Sequence, residues 1–502
     1  MVTSVTVTQE FPGSRTEDWI RTRRLCSFPV LLACVLMLST YLVFPKTIAD
    51  PDLGWHLRNA EYMLNQHQVV RRDMFSSTTF GKPWIDHEWM SEIPFYLGWK
   101  LAGMQGVFLV TIGLIETVFL GIFGLAYEHS KSAKSAFIVS FLAIVPASVS
   151  FGPRTLLFGW ICLLAELTIL LCFRNGRDIT WLLPPLFLVW VNLHGSWMIG
   201  LVLLGIFLGS GLAEGEWGLI YAVRWSRNER RRLAGMSLLS VLALFVNPYG
   251  WRLTAYPFDM AFRQKLNIEH VEEWRTVDFH SPRGKIILVM MVGTILLQLV
   301  RRRKWRLDEI CFALVGMYAG LTYSRFLFLS AILICPLIST DLCGWMPQRA
   351  KRDRPWLNAG LMACCLTAII LRLPTEQQLA KAGCAQYPCE ALQYLRNFHP
   401  DGKVFNDFRW GGYLIWNTPQ VPVFIDSRVD IFEHHGVLAD YLHVVQLGDS
   451  LQILNHNNIR YVLFEKNTPL SYFLMHVPGW KIDYRDSKTV LFERTRDSRQ
   501  EN

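Results

Sequence analysis

Long apolar runs alternate with polar segments over the first three quarters of the chain. A helix needs roughly 20 mostly apolar residues to cross the hydrocarbon layer of a membrane, and only helices or closed barrels satisfy the backbone there. We therefore predict a polytopic α-helical membrane protein with about 11 transmembrane helices. The alternative, buried helices of a soluble protein, lacks the amphipathic helices needed to cover the runs. The runs are Phe28–Phe44, Val107–Tyr127, Ala136–Phe151, Thr155–Phe173, Trp181–Leu193, Trp197–Leu212, Leu233–Val246, Ile286–Val300, Ile310–Tyr323, Phe326–Leu342 and Trp356–Leu371.

Basic residues mark alternate loops between these runs. Arginines precede the first run, which we interpret as a retained anchor because it is long for a signal peptide. Lys and Arg in short loops favour the cytoplasmic side, so the N-terminus is predicted inside. The other basic clusters then all fall on that same side, at Lys131 and Lys134, Arg174 and Arg177, Arg224–Arg232, Arg301–Lys304 and Arg349–Arg354.

This topology divides the chain into three parts. We predict a cytoplasmic tail over 1–27, a transmembrane domain over 28–372 in the inner (cytoplasmic) membrane, and an extracytoplasmic domain over 373–502. The transmembrane domain carries two long outer loops, 46–105 and 248–283. Short β-type runs alternate with helical patterns in the last part, which predicts a small α/β domain. Strands are expected at Lys403–Phe405, Val421–Ile425, Tyr461–Phe464 and Thr489–Phe492, and helices at Cys389–Phe398 and Leu438–Leu454.

The net charge of the chain is explained by where its basic residues lie. The 502 residues include 50 Lys+Arg and 41 Asp+Glu, a formal net charge of +9. A basic chain suggests an anionic partner, but the excess lies in the predicted cytoplasmic loops. The charge is therefore a topology signal, and no nucleic-acid partner is predicted.

Cysteine usage indicates one structural feature. Nine of the 11 cysteines lie in or beside apolar runs, where they act as small apolar residues. Cys384 and Cys389 are the two in the predicted outer domain, a compartment that permits disulfides, so we expect a bond between them. The spacings of structural zinc sites are missing from the sequence.

The first outer loop carries the most distinctive motifs. These are D-P-D-L-G-W-H-L from Asp50 to Leu57, D-x-F-S-x-T-x-x-G-x-x-W from Asp73 to Trp84, and H-E-W at His87–Trp89. Two aromatic-rich amphipathic helices are expected here, the second starting around Asp86, and both at the membrane surface. With the predicted topology and the C-terminal outer domain, these motifs resemble bacterial members of the GT-C glycosyltransferase superfamily.

The resemblance implies a polyprenyl-phosphate-linked sugar donor and a carboxylate of the first outer loop as base or metal ligand. It points to Asp50 and Asp52, and it leaves open whether a divalent cation (Mg or Mn), with Asp52 as a candidate ligand, is a cofactor. The chemistry agrees, because an acceptor hydroxyl needs a nearby carboxylate to take its proton. His56, one helical turn on, and Glu88 are the candidate partners. The alternatives are an N-cap role for Asp52 and a solvated Asp50.

Two arginines stand at the outer ends of spans, against the distribution of the other basic residues. Arg154 lies in FGPRTLLFGW and Arg325 in TYSRFLFLSA. Cations bind phosphate groups, so we predict that both bind the donor phosphate; snorkelling toward the lipid headgroups is the alternative. His194, in the NLHGSW turn, is a candidate sugar or acceptor contact, although a plain helix-hairpin turn explains this segment equally well.

The predicted outer domain opens with FNDFRWGGYLIW and VFIDSRVDIF. This arrangement faintly resembles the W-W-D-Y-G region of oligosaccharyltransferase catalytic subunits, but the Trp-Trp-Asp is replaced, so peptide recognition is not carried over. Alternatively, Gly411–Gly412 is a strand-to-helix turn and Asp426 ends a strand. The residues that remain candidates for acceptor or sugar contacts are Asp407, Trp410, Tyr413, Asp426 and Arg428.

These features favour an inverting membrane glycosyltransferase that moves a hexosyl or pentosyl group to a glycan, lipid or protein acceptor at the outer face. The competing hypotheses are a transporter or flippase of lipid-linked sugars and a non-catalytic cell-envelope assembly protein. Glu116 and Glu166 lie within apolar runs, where a carboxyl group must find a partner. We expect interhelical hydrogen bonds for both; a proton-coupled transporter would depend on them.

Overall fold

A computed structural model describes residues 24–270, 272–346 and 353–495. Most of the predicted tail 1–27, and Arg349 with its neighbours, lie outside the described residues. Each apolar run forms a helix over most of its length. The helices up to residue 371 are α1 (Phe28–Val43), α2 (Leu53–Gln66), α3 (Trp89–Ser130), α4 (Ala133–Ala147), α5 (Leu156–Arg174), α6 (Leu183–Leu193), α7 (Trp197–Ser210), α8 (Arg227–Ala243), α9 (Trp251–Arg263), α10 (Lys265–His270), α11 (Pro282–Arg301), α12 (Leu307–Thr322), α13 (Leu327–Cys343) and α14 (Pro355–Leu371).

The apolar helices make this a membrane protein, but they differ in length. Within the described residues, five helices are long and apolar enough to cross a membrane, or up to six if one bent pair is a single span. Others, such as α6 and α7 with 11 and 14 residues, are shorter than the roughly 20 residues that a span needs. The prediction of a helical membrane domain is confirmed, whereas the number of spans and the inside position of the N-terminus stay predictions.

Helix α3 joins two predicted elements. It runs for 42 residues and contains both the second first-loop helix and the apolar run that follows it. Its helical geometry is interrupted at Ala102 and Gly103, where Gly103 has a φ of 58°. The Glu376 carboxylate accepts hydrogen bonds from the backbone N–H groups of Met104 (3.1 Å) and Gln105 (2.9 Å). The break therefore behaves as a new helix N-terminus, capped from the C-terminal part of the chain.

The predicted cytoplasmic loops gather at one end of the helices. There Arg174 contacts Glu309 at 3.1 Å and Arg303 contacts Asp341 at 2.6 Å. A small sheet of β1 (Gly215–Trp217), β2 (Ile220–Ala222) and β3 (Trp305–Arg306) lies beside this cluster. Arg174 and Arg303, from two of the predicted cytoplasmic loops, thus meet at Glu309, as expected of loops on one side of a membrane.

The C-terminal part is an α/β domain, as predicted. Its four strands are ordered β4–β5–β7–β6, with β4 parallel to β5 and the other pairs antiparallel. The strands are β4 (Lys403–Asn406), β5 (Ile459–Glu465), β6 (Trp480–Arg485) and β7 (Thr489–Arg494), and the helices are α15 (Glu376–Cys384), α16 (Cys389–Phe398), α17 (Gly411–Asn417), α18 (Val429–His434), α19 (Val437–Val445), α20 (Ser450–His456) and α21 (Pro469–His476). A disulfide joins Cys384 and Cys389, at the α15–α16 connection.

The prediction of strands in this domain is wrong at two places. Strand β6 has no counterpart in the prediction, because its exposed positions break the apolar run. The run Val421–Ile425 is not in the sheet. Instead, Val423 exchanges backbone hydrogen bonds with Phe75 and Ser77 of the first outer loop. An apolar run that joins two parts of the chain is indistinguishable, in sequence, from a buried strand.

Helix α2 packs between α3 and α17 of the C-terminal domain. Its first turns are buried on several sides, at Leu53, Trp55, His56 and Leu57, so α2 is covered by protein; its predicted position at the membrane surface stays a prediction. The contact with α17 brings two backbones together. A Cβ atom at Gly54 would stand 1.9 Å from the carbonyl oxygen of Gly412, and one at Gly412 would stand 2.1 Å from that of Pro51. Glycine is required at both positions for this approach.

Candidate functional site

Turns between helices converge beneath the C-terminal domain, at the end opposite the ionic cluster. Each turn contributes a polar side chain to an otherwise apolar fold. The contributing residues are Asp50 and Asp52 before α2, Glu88 before α3, Arg154 before α5, His194 between α6 and α7, and Arg325 before α13. The sequence-predicted residues of the first outer loop and of the span ends are therefore brought together.

Asp50 is buried, and several contacts hold it in place. Its Oδ1 accepts a hydrogen bond from the Asp52 backbone N–H at 2.9 Å, and its Oδ2 lies 3.3 Å from the Arg154 Nε. The hydroxyl of Tyr387, from the C-terminal domain, donates to the Asp50 carbonyl oxygen at 2.7 Å. Asp50 is thus an ion-pair partner rather than a solvated residue, contrary to one of the alternatives.

Asp52 occupies the N-cap position of α2, yet its side chain makes no capping hydrogen bond. Its Oδ1 accepts instead from the Trp55 Nε1 at 3.2 Å, and Ser427 of the C-terminal domain also donates to the carboxylate. Burial, together with the negative charge of Asp50, raises the pKa of Asp52 to about 7. A carboxylate with such a pKa can accept a proton near neutral pH.

Glu88 lies among three histidines. Its Oε1 is 3.2 Å from the His194 Nε2 and 3.4 Å from the His87 Nε2, and its Oε2 is 3.7 Å from the His56 Nε2. The His194 Nδ1 accepts from the Ser196 backbone N–H at 3.0 Å, so the proton of a neutral His194 ring is on Nε2 and points at Glu88.

The two carboxylates have opposite protonation tendencies. Burial alone would raise the pKa of Glu88, but the adjacent His87 and His194 outweigh it and hold that pKa well below its usual range. The pKa of His87 is raised, because the attraction of Glu88 exceeds the effect of burial, whereas burial lowers the pKa of His56 to about 4. Glu88 is thus the carboxylate whose ionised form is favoured, whereas Asp52 and Asp86, each with a pKa raised to about 7 chiefly by burial, are able to exchange a proton near neutral pH. Such divergence is typical of acid–base sites.

Other residues of the first loop complete the site, and sequence reasoning missed them. The Glu92 Oε1 lies 2.7 Å from the His56 Nδ1, and the Asn59 Nδ2 donates to Asp86 Oδ2 at 3.3 Å. A signal for them exists in D-H-E-W-M-S-E, where titratable side chains at 86, 87, 88 and 92 interrupt an apolar pattern and 88 and 92 share a helix face.

The two arginines differ in their partners. Arg154 forms ion pairs with Asp50 and with Glu273 of the second outer loop. Arg325 stacks on the Trp274 ring at 4.2 Å, and it has no hydrogen bond or ion pair with any side chain that the structure describes. The charges of Arg154, Glu88 and Asp52 all act on it. Arg325 is therefore the cation whose donors are available to an anionic ligand.

The predicted sugar contacts of the C-terminal domain are mostly interior residues. Asp407 pairs with Arg409, and Trp410 donates to the Gln386 carbonyl. Arg428 contacts Asp426 at 2.6 Å and Asp73 of the first loop at 2.8 Å. Four side chains that the sequence predicts as sugar contacts are at most 3% exposed. These are Asp407, Trp410, Asp426 and Arg428.

Burial of this kind does not support the predicted sugar contacts, and Arg428 instead connects the C-terminal domain to the first outer loop. Tyr413, which is half-buried, stacks on Tyr387 at 4.2 Å.

The two carboxyl groups within the helices have different surroundings. The Thr40 hydroxyl donates to Glu116 Oε1 at 2.6 Å, an interhelical hydrogen bond as expected. Glu166 is fully buried, and neither of its carboxyl oxygens has a partner in the described part of the chain. It packs near Trp190 and Gly200. The expected interhelical hydrogen bond of Glu166 is therefore absent there, since the helices around it present small and aromatic side chains.

A divalent cation at this site would have to be coordinated by its carboxylates and histidines. Asp50 is paired with Arg154, Glu88 faces His194 and His87 at 3.2 and 3.4 Å, and Asp52 accepts hydrogen bonds from Trp55 and Ser427. Among the residues that the structure describes, three His, Cys, Asp or Glu side chains do not converge on a point that could hold a metal ion. The residues therefore do not fit a resident cation in this arrangement.

Comparison with known proteins gives a fold relationship. No protein-family model matches the sequence, and no curated protein sequence matches it. The oligosaccharyltransferase of Archaeoglobus fulgidus tethered with an acceptor peptide aligns with 96% of this chain and 75% of its own, at a TM-score of 0.57 and 11% identity. AglB of the same organism, in complex with an inhibitory peptide and a dolichol-phosphate, aligns with 87% of this chain and 69% of its own, at 0.53 and 10%.

These two structures are GT-C glycosyltransferases, so the chain has the GT-C fold, and the resemblance noted in the sequence is confirmed at that level. ArnT of Cupriavidus metallidurans bound to undecaprenyl phosphate aligns with 93% of this chain and 98% of its own, at a TM-score of 0.49 and 13% identity. The assignment of the fold does not depend on it.

Proposed function

We propose that this protein is a membrane glycosyltransferase that moves a sugar from a polyprenyl-phosphate-linked donor to an acceptor at the outer face of the cytoplasmic membrane, with inversion. The observation that carries this proposal is that Asp52 and Arg325 belong to one site, near enough for the charge of Asp52 to act on Arg325. Asp52 is able to take a proton near neutral pH, and Arg325, stacked on Trp274, has no hydrogen bond or ion pair with a described side chain. Sugar transfer from a phosphate carrier needs these two groups together.

The reaction assigns each group a task. The acceptor hydroxyl oxygen attacks the anomeric carbon from the side opposite the phosphate, and Asp52 takes the hydroxyl proton. The bond between the anomeric carbon and the phosphate oxygen breaks, and the polyprenyl phosphate leaves with the bond electrons. Arg325 stabilises the charge that develops on that phosphate. Arg154 holds Asp50, whose negative charge keeps Asp52 basic.

The fold relatives are consistent with this chemistry. One neighbour is named as bound to a dolichol-phosphate and another as tethered to an acceptor peptide. These ligands support a lipid-linked donor and a separate acceptor for this chain. The donor sugar, and any dependence on Mg or Mn, stay predictions, and no step above passes through a metal ion.

Sugar transfer by the purified protein tests the proposal. Labelled polyprenyl-phosphate sugars are incubated with the protein and a membrane extract as acceptor, and the Asp52→Asn variant is compared with the unchanged chain. We expect transfer to fall by about 10²–10⁴-fold, the usual contribution of a general base. Asp407→Asn, which alters another buried aspartate, serves as a control for folding. If transfer survives in Asp52→Asn, the assignment of Asp52 as the general base is refuted.

The transporter hypothesis makes the opposite prediction. A proton-coupled carrier would depend on Glu166, the buried carboxyl group without a described partner, rather than on Asp52. In vesicles loaded with lipid-linked sugar, Glu166→Gln should leave glycosyl transfer unchanged. If Glu166→Gln abolishes movement of the lipid while Asp52→Asn does not, the protein is a transporter.

A further inference from the structure

Helix α9 of the second outer loop has three distinct faces. Leu253 and Pro257 are buried against the protein, while Trp251, Phe258 and Phe262 are exposed by 68%, 52% and 78%. At 100° per residue, positions 251, 258 and 262 fall within one narrow stripe, opposite the buried stripe. The three most exposed side chains of this stripe are all aromatic, which is unusual for a helix in contact with water.

This aromatic stripe continues an exposed apolar surface. Phe245 and Val246, just beyond the end of α8, are 50% and 59% exposed, and α9 begins five residues after Val246. Aromatic side chains are enriched where a membrane meets water. Basic Arg263, which contacts Asp259 at 3.3 Å, and Lys265 are exposed at the C-terminal end of α9 and the start of α10, and exposed cations at a membrane surface can reach lipid phosphates.

The third face of α9 forms the wall of a cleft. A cavity of about 430 Å³ lies between α9, the first outer loop and α18. Arg252, Tyr256 and Asp259 of α9 line it, together with Trp84 and Asp430. Around the axis of α9, these three residues lie between the buried stripe and the aromatic stripe. One helix thus separates the cleft from the surface that carries Phe258 and Phe262.

The cleft is joined to the candidate active site through its floor. The ring of Tyr256 stacks on His87 at 4.4 Å, and His87 contacts Glu88 at 3.4 Å. Trp84 donates to the Asp430 carboxylate at 3.2 Å. Aromatic rings beside a carboxylate, with Arg252 at the edge, suit a sugar that carries hydroxyl and anionic groups.

We infer that α9 lies in the membrane surface, with Trp251, Phe258 and Phe262 among the lipids, so that the cleft opens at the level of the lipid headgroups. The partner that covers the aromatic stripe is the lipid bilayer itself. A cleft with its entrance there admits the headgroup of a membrane lipid. It follows, resting on the proposed function, that the acceptor is a lipid-anchored saccharide rather than a soluble glycan or protein.

Photo-crosslinking tests the position of α9 without any assay of activity. p-Benzoylphenylalanine replaces Phe262 in the full chain, reconstituted in vesicles of phosphatidylcholine and phosphatidylglycerol that contain a clickable lipid. The matched control carries the same group in place of Tyr472, an aromatic residue of α21 that is 68% exposed. We expect at least about fivefold more lipid adduct at 262, because an interfacial helix buries its apolar face among the headgroups and acyl chains.

Two results would overturn the inference. Equal and low lipid labelling at both positions would place α9 in water. Crosslinks at 262 to a second copy of the protein would make the stripe a dimer interface.

The acceptor is tested separately. The chain and labelled polyprenyl-phosphate sugar are offered the lipid extract or the water-soluble glycan fraction of the same cells, each in detergent. We expect label to appear in lipid at a rate at least about tenfold higher, since the cleft entrance selects membrane-borne molecules. Equal transfer to the soluble fraction refutes the lipid-anchored acceptor and leaves glycosyl transfer intact. An absence of transfer to either fraction refutes the proposed function instead, whatever the position of α9.

Discussion

At the scale of single residues, the site depends on two neighbouring aspartates that have different partners. Asp50 is paired with Arg154, whereas the hydrogen-bond donors to Asp52 among the described residues, Trp55 and Ser427, are neutral. The charge held at Asp50 therefore opposes ionisation of Asp52. An arrangement of this kind keeps one carboxylate fixed and makes the next one basic.

The pH dependence of transfer follows from this pair. Asp52 accepts a proton only when ionised, and its pKa is raised to about 7, so activity is lost as the pH falls below 7. In Asp50→Asn the like charge is removed, the pKa of Asp52 falls, and the midpoint of the pH–rate profile should move down by about one unit. Glu273→Gln removes the other partner of Arg154 and should leave the midpoint in place. An unmoved midpoint in Asp50→Asn would contradict the coupling.

The two arginines should respond differently to substitution. Arg325 has no described hydrogen bond or ion pair to lose, only its stacking on Trp274, so Arg325→Ala should raise the donor KM by about 10–100-fold, as expected for loss of a charge-assisted contact, with little change in Tm. Arg325→Lys keeps the charge and should recover part of the loss. Arg154→Ala leaves Asp50 and Glu273 unpaired and should lower Tm as well. Steady-state kinetics with thermal unfolding in detergent separate these outcomes; a normal KM in Arg325→Ala would exclude phosphate binding.

At the scale of elements, the C-terminal domain holds the first outer loop in position. Backbone contact between α2 and α17 depends on Gly54 and Gly412, and the buried Arg428 joins Asp73 to Asp426. Asp52 stands at the start of α2. Loss of this packing therefore moves the carboxylate that we propose as the base, even though none of these residues would touch substrate.

Gly412→Ala tests the backbone contact. A methyl group there would stand 2.1 Å from the Pro51 carbonyl oxygen, so the helices must separate. We expect the transfer rate to fall at least about tenfold, since small displacements of catalytic groups are costly. In the control, Gly383→Ala in α15, the new methyl meets only ordinary contact at 4.0 Å, and activity should be unchanged. Full activity in Gly412→Ala would show that the contact is dispensable.

Substitution of Arg428 tests the polar contact between the first outer loop and the C-terminal domain. Removal of one partner from a buried ion pair destabilises by about 3–5 kcal/mol, so Arg428→Ala should unfold at lower denaturant and expose the first loop to protease. Arg409 pairs with Asp407 in the same local arrangement but is 60% exposed, and an exposed pair contributes about 0–1 kcal/mol. Arg409→Ala should therefore behave like the unchanged chain. Equal stability of the two variants would contradict the interdomain role of Arg428.

At the scale of the whole molecule, polar groups are separated to the two ends of the helices. One end holds the ionic cluster of Arg174, Arg303, Glu309 and Asp341, and the other holds the site and the α/β domain. The positive-inside rule assigns the ionic cluster to the cytoplasm. The site would then face outward, where a lipid-linked donor and its acceptor meet.

Cysteine labelling in intact cells checks this orientation. Tyr472→Cys and Phe80→Cys, at positions 68% and 71% exposed, should react with a membrane-impermeant maleimide. Lys131→Cys, in a predicted cytoplasmic loop with a side chain 65% exposed, should react only after permeabilisation. Reaction at 131 but not at 472 in intact cells would reverse the topology and with it the outward site.

The sequence by itself determined the helical membrane domain, the α/β domain and the loop that carries Asp50, Asp52 and Glu88. These features depend on hydrophobic periods and on charge counts along short segments, which are local properties. The pairing of Cys384 with Cys389 is also local. The sequence could not determine which carboxylate is basic, because the raised pKa of Asp52 comes mainly from burial in the packed fold and is opposed by a hydrogen bond from Ser427, which lies 375 residues away.

Only the tertiary structure decided the roles of the remaining candidates. Arg428 and Asp426 have the composition of a sugar site, yet packing against Asp73 makes them an interior ion pair. Arg154 and Arg325 look alike in sequence, and only their neighbours make one a structural partner and the other an available cation. The three faces of α9 likewise differ only in the folded protein, where the first loop and α18 form a cleft beside this helix. Burial and charge pairing between distant segments are set by the packed fold, and no local pattern encodes them.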